Sequence, residues 1–322
     1  MLRPSCSSFL AAAATLAAGL LAMPGPAYAA DITTALDATA MAAALKTVAD
    51  TSKAASHDGW KLTDTFSEGP MSASSSLVVD VTHQIESVSG TGFALYVVGG
   101  RGVYQSLDGS AERAAVKMMH RPQVRYKFTS EPSITLDNTA LSIEGNSGAA
   151  LADSRHAGTK TVHDDGSSDY AYAADGGMKV TVRVSAAGVL TGSRTTGAGF
   201  TDISTYTYGA QHVTLPAVSV TITSKALAKG VAYVHMKATV GEVASRGAAD
   251  TRQRAHGHRI NVAALRRTVR EDVADFNHGI GAKMIKVTVV DRGVRLRATN
   301  PWTHKSVSFT VKAYGKKIAV KG

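Results

Sequence analysis

The chain has 322 residues, 35 Lys and Arg against 25 Asp and Glu for a formal net charge of +10, and a single cysteine. With 44% hydrophobic and 19% charged residues it holds enough apolar material for packed cores, which excludes a chain disordered throughout. One cysteine excludes a disulfide framework and any zinc or iron–sulfur site built on cysteines.

Arg3 is followed by an uncharged, Ala- and Leu-rich run from Phe9 to Met23, broken by Pro24-Gly25-Pro26 and closed by Ala27-Tyr28-Ala29. This is the pattern of a secretory signal peptide over residues 1–29, with an A-x-A cleavage site and a mature chain beginning at Ala30. The apolar run is about 15 residues where a membrane span needs about 20. Cys6 precedes that run and so departs with the leader. The expected mature protein is secreted or associated with the cell envelope and carries no lipid-bearing cysteine.

Asp31 to about Ser56 reads as a helix, with Leu36, Met41, Leu45, Val48 and Ala49 at helical spacing. After Trp60 alternation takes over. Ser76–Ile85, Gly92–Val98 and Gly102–Leu107 read as strands, with Gly99-Gly100 turning between the last two. Ala111–His120 suits a short helix stopped by Arg121-Pro122. Strands are expected again at Val124–Thr129, Ser133–Leu136, Lys160–His163, Ser168–Ala173, Lys179–Ser185, Val189–Thr195 and Thr201–Leu215, separated by Asp-, Gly- and Pro-rich turns. Asn138–Gly158 reads as a loop or short helix over one sheet face.

Past Pro216 the composition changes. Residues 31–217 carry 14 basic and 19 acidic residues, net −5, whereas residues 218–322 carry 20 and 6, net +14. Val218–Thr223 and Val231–Val240 alternate as strands, Gly241–His258 is polar, and Asn261–His278 is a helix capped by Asn261 with a stripe of Val262, Leu265, Val269, Val273 and Phe276. Strands at Met284–Val290, Val294–Ala298 and Ser306–Lys312, and a short one after Gly315, complete a β-β-α-β-β-β order. The chain is therefore expected to be α+β, with a body at 30–217 and a basic domain at 218–322.

At Tyr96-Val97-Val98-Gly99-Gly100-Arg101-Gly102-Val103-Tyr104, and again at Val180-Thr181-Val182-Arg183-Val184-Ser185-Ala186-Ala187-Gly188-Val189-Leu190, the body resembles actinobacterial exported lipoproteins of the LppX/LprG type, within the LolA-like half-barrel group. Thr205-Tyr206-Thr207-Tyr208-Gly209 before Pro216 also looks like the end of such a domain. The resemblance spans about residues 31–217 and implies a strongly curved antiparallel sheet wrapped around helices, with an apolar cavity for acyl chains. Two features set this chain apart from those lipoproteins: it lacks their lipobox cysteine, and they lack a C-terminal basic domain of this kind.

A long meander with one apolar face must bury that face, and the helical cover available is small. Leu77, Val79, Val81, Phe93, Leu95, Val97, Val103, Val124, Tyr126, Phe128, Val182, Val184 and Tyr206 are the candidates for a ligand cavity. An ordinary filled core is the competing reading. No nucleophile elbow or phosphate loop is present, so no catalytic residue and no cofactor is expected. His256-Gly257-His258 lies among Arg252, Arg254 and Arg259, a field that repels cations, and His163-Asp164-Asp165 with Asp169 reads as turn chemistry, so no metal is expected. Arg252, Arg254, Arg259, Arg266, Arg267 and Arg270 form the candidate anion-binding cluster. In an exported protein this points to lipid headgroups or wall polymer rather than nucleic acid. Two functions remain open: a carrier of a lipid or other hydrophobic ligand held at the envelope by its basic domain, and an envelope scaffold whose basic domain alone does the binding.

Overall fold

The computed structural model describes residues 31–136 and 156–322. The expected leader, and all of the expected Asn138–Gly158 cover but its last three residues, lie outside them. The described residues form two compact units, one within 31–105 and 130–215 and one of Ser106–Thr129 with Pro216–Gly322.

In the first unit β1 (Ile32–Leu36) leads into α1 (Ala38–Ala55), followed by β2 (Trp60–Glu68), β3 (Met71–Asp80), β4 (Ile85–Gly90), β5 (Phe93–Val98) and β6 (Gly102–Ser106). After β7 (Tyr126–Ser130), which goes largely with the second unit, come β8 (Gly158–Val162), β9 (Ser168–Ala174), β10 (Met178–Val184), β11 (Leu190–Gly197) and β12 (Phe200–Tyr208). The helix expected from Asp31 thus starts only at Ala38. Ile32, Thr33 and Thr34 are β-branched and pair with β8, and Asp37 caps the helix by accepting the Ala40 amide at 2.8 Å.

The strands pair antiparallel throughout in the order β1-β8-β9-β10-β11-β12-β2-β3-β4-β5-β6. The sheet is curved. Since β1 lies at one edge and β2 in the middle, the intervening α1 crosses the face between them. Met41, Leu45 and Val48 of α1 pack there on Tyr170, Tyr172, Val180, Val182, Val184 and Leu190. The seam is locked by Ser52, whose hydroxyl accepts the Leu190 amide at 2.9 Å and donates to the Val48 carbonyl at 2.7 Å. Besides β1, two strands, β2 and β4, were not among the expected ones. Ser133–Leu136, expected as a strand, is a turn followed by irregular backbone. The last strand stops at Tyr208, before Gly209 at φ 103°.

The second unit contains α2 (Ser110–Met118), β13 (Thr221–Thr223) paired parallel with β7, α3 (Ser224–Val234), α4 (Met236–Arg254), α5 (Val262–Gly279), and a sheet of β14 (Ile285–Val290), β15 (Gly293–Thr299), β16 (Ser306–Tyr314) and β17 (Lys317–Lys321). Its order after Pro216 is β-α-α-α-β-β-β-β, which corrects the expected β-β-α-β-β-β. Val231–Val240, apart from His235, and Gly241–Arg254 are helical because Leu227, Gly230 and Tyr233, then Met236, Val240, Val243 and Ala244, recur on one buried helical face, and the expected polar segment keeps only Ala255–His258 as a turn. Gly247 inside α4 is a point of close approach rather than a loop signal: a Cβ there would lie 2.7 Å from Val269 Cγ2 of α5. Helices α4 and α5 cover one face of the four-stranded sheet through Val240, Ala244, Leu265 and Val269 against Val294, Leu296 and Val311.

Residues 106–129, expected in the body, group with the second unit because Leu107, Ala115, Val116 and Val124 share a buried cluster with Ile222 and Leu227.

Candidate functional site

Register places one continuous side-chain row on the inner face, the face that α1 covers. Trp60, Leu62, Asp64 and Phe66 of β2 stand opposite Tyr208, Tyr206, Ser204 and Asp202 of β12, and opposite Val79, Leu77, Ser75 and Ala73 of β3. The row continues through Val88 to Leu95 and through Glu86 to Val97 and Val103. Its inner end is closed: Trp60 is fully buried, stacks on Tyr206 at 6.4 Å, and packs with Leu77, Val79 and Val97. The outer end is open. Phe66 stacks on Phe200 at 6.0 Å, while Phe93 is 44% and Met71 62% exposed on the same face.

Of the expected cavity residues, Leu77, Val79, Val81, Phe93, Leu95, Val97, Val103 and Tyr206 belong to this row or pack on its cluster. Val182 and Val184 lie farther along the same sheet under α1. The other three belong to the second unit. Val124 is buried in the Leu107 cluster, and Tyr126 and Phe128 sit on β7 beside β13. Phe66, Met71, Phe200 and Tyr208 were missed. The alternation Trp60, Leu62, Phe66 was their signal, and Asp64 in the same register masked it.

A cavity of about 330 Å³ lies elsewhere in this unit, lined by Thr47, Val48, Lys160, Ser168, Tyr170 and Val184 among others. Half its lining side chains named here are polar, and Val184 is the one expected cavity residue among them. Beside it, His163 places Nδ1 3.1 Å from Asp31 and Nε2 3.3 Å from Asp169, whose carboxylate Arg183 grips with two bonds at 2.8 and 2.9 Å. The hydrogen bond to Asp31 leads the causes that raise the His163 pKa. Asp165 accepts the Ser167 amide at 2.8 Å, the turn chemistry expected of Asp164-Asp165-Gly166.

A carboxyl pair interrupts the apolar row. Asp64 accepts from Ser204 at 2.9 Å, while Asp202 Oδ1 is buried without a hydrogen-bond partner among the described residues. Burial, reinforced by Asp64 beside it, pushes Asp202 up to about 6. A carboxyl whose folded pKa is raised binds protons more tightly folded than unfolded, so its contribution to stability falls as pH rises from about 4 to about 6. Asp202→Asn is therefore expected to stabilise the protein at pH 7.5 by on the order of 1–2 kcal/mol, with the gain vanishing near pH 4. Urea unfolding across that pH range checks it, and a pH-independent difference would contradict it.

The basic cluster is partly spent inside its own unit. Arg252 donates to the Ile318 carbonyl at 3.1 Å, Arg254 bonds Thr268 and Glu271, and Arg266 donates to the Val290 and Gly293 carbonyls. Arg259, Arg267 and Arg270 are exposed. A second basic surface, not among the expected residues, is the outer face of the four-stranded sheet. Cross-strand pairing aligns Lys286 with Arg297 and Ser308, and Thr288 with Arg295, Thr310 and Lys321. Asp291 is the last acidic residue of the chain, so no carboxylate side chain from β15 to β17 interrupts this face.

No helix among the described residues is long and apolar enough to cross a membrane. No protein-family model matches the sequence, and no curated protein is similar to it. Among solved structures, LprF from Mycobacterium bovis is similar at 11% identity and a TM-score of 0.28, over 54% of this chain and 96% of that one. A DUF1329 family protein from Desulfovibrio piger is similar at 11% identity and a TM-score of 0.21, over 55% of this chain and 95% of that one. Overlap at these scores carries no argument about ligand or activity, which rests on the geometry above.

Proposed function

We propose that this is a non-enzymatic exported protein of the cell envelope that holds the acyl part of a lipid or similar amphiphile on the inner face of its first unit, and that its second unit meets an anionic envelope component. The observation that carries the first half is the graded apolar row: sealed around Trp60 at one end, and ending in half-exposed Phe93 and Met71 at the other. Large apolar side chains left open on one continuous face mark a binding surface. The LppX/LprG-type resemblance of the body suits the same ligand class. A fluorescent fatty acid is expected to bind saturably, about one per chain, and to be displaced by phospholipid. Absence of uptake would favour the scaffold reading, in which the filled end around Trp60 represents the whole face.

The second half rests on Lys286, Arg295, Arg297, Lys312 and Lys321 on the outer sheet face, together with exposed Arg259, Arg267 and Arg270. Each cation contributes about 1 kcal/mol at an anionic membrane surface. The double variant Arg295→Ala, Arg297→Ala is expected to weaken binding to phosphatidylglycerol vesicles roughly 30-fold, about 2 kcal/mol. Binding should also weaken steeply between about 0.1 and about 1 M salt, as the Debye length shrinks from about 10 to about 3 Å. Vesicle co-sedimentation measures both, and salt-independent binding would contradict the assignment.

A further inference from the structure

The end of β3 carries an arrangement that the inner face does not use. Asp80 is 1% exposed, and the turn after it brings His83 back over its carboxylate. His83 Nδ1 lies 2.9 Å from both Asp80 oxygens, and the His83 amide donates to Oδ1 at 3.1 Å. From the end of the same unit, the Val213 amide donates to Asp80 Oδ2 at 3.3 Å. Val213 is itself buried against Ile85 and Val98, so it anchors its neighbour His212. The His212 and His83 rings meet edge to face, centroids 5.8 Å apart. One carboxylate oxygen and one nitrogen from each ring lie within 4.8 Å of one another.

We propose that Asp80, His83 and His212 form a two-histidine, one-carboxylate site for a borderline divalent transition ion, with Zn2+ as the representative. Two imidazole nitrogens and one oxygen are the donors such ions take, whereas Ca2+ and Mg2+ select all-oxygen sets. Bonds of about 2.0–2.2 Å put tetrahedral ligand atoms roughly 3.5 Å apart, so His83 Nδ1, now 2.9 Å from the carboxylate, gives way by roughly 0.6 Å as the ion inserts while the His212 ring closes in. Both histidines are exposed and able to move, while the carboxylate is already fixed by two amides. The turn holding His83 is also fixed: Gln84 adopts φ 54°, its side chain donates to the Val81 carbonyl at 2.9 Å, and its carbonyl accepts the Gly99 amide at 2.8 Å. Three protein ligands leave one position for water or an exogenous ligand. A bound ion would staple the segment after β12 to the β3–β4 turn.

Calorimetric titration of the metal-free full chain with Zn2+ tests the site. His83→Ala and His212→Ala are each expected to lower the affinity of the tightest site at least about 10-fold, while His256→Ala with His258→Ala leaves it unchanged. Zn2+ should raise the melting temperature of the parent and not that of His212→Ala. Both histidines are exposed, so the variants should fold, which circular dichroism checks. Equal affinity in the parent and the His83→Ala, His212→Ala double variant, or loss confined to the His256 and His258 variant, would overturn the proposal.

Discussion

Gly293→Ala is expected to cost about 4 kcal/mol or more and to disrupt the four-stranded sheet of the second unit. Gly293 opens β15 after the Asp291-Arg292 turn, paired with Val290 on one side and Lys312 on the other. A Cβ there would overlap the Val311 carbonyl oxygen and lie 2.8 Å from its carbon. These are backbone atoms inside an antiparallel ladder, so no rotamer change relieves the overlap and the strands must part. Val294, Leu296 and Val311 are all fully buried beneath α4 and α5, and they lose their partners together. The outer basic face depends on the same ladder, so vesicle binding should fall with stability. Hydrogen exchange resolved by segment should show residues 285–321 losing protection while β2 to β5 keep theirs. Parental exchange in the variant would show that the ladder accommodates the methyl group.

Trp60→Ala is expected to cost about 3–5 kcal/mol, the usual penalty for removing a large buried aromatic side chain. Trp60 is wholly buried, flanked across strands by Val79 and Tyr208, and stacked on Tyr206, which stacks in turn on Tyr208 at 6.5 Å. Its removal leaves a hole that strand pairing on both sides prevents from closing. The contrast is Phe93→Ser on the same face. Phe93 is 44% exposed, so its loss should change stability by less than about 1 kcal/mol while weakening fatty-acid uptake. Urea unfolding and ligand titration on the two variants separate the closed end from the open one. If Phe93→Ser left uptake untouched, the ligand would lie elsewhere.

Most of the strands of both units were legible as alternation between turn residues, and α5 was legible from Asn261 and its apolar stripe. The misreadings share a cause. Ile32–Leu36 and Val231–Val240 are short apolar runs, and periodicity alone does not decide whether such runs are strands or helices. Asp37 as a cap decides the first, and burial of Tyr233, Met236 and Val240 on one helical face the second. At the site, Asp64 and Asp202 concealed the apolar register of β2 and β12. No local pattern could place Val124 beside Ile222, or His212 beside His83, because those neighbours are far apart in sequence and are joined by tertiary packing. The arginine cluster was legible as composition only. Which of its members bind their own unit depends on carbonyls of β14, β15 and β17.

The central claim is that the inner face holds an amphiphile. Native mass spectrometry of the protein recovered from its own host tests it most directly. The expected spectrum shows the chain with one bound lipid-sized adduct that organic solvent releases, and with that adduct depleted in Phe93→Ser. A bare polypeptide mass, unchanged after incubation with fatty acid and phospholipid, would contradict it.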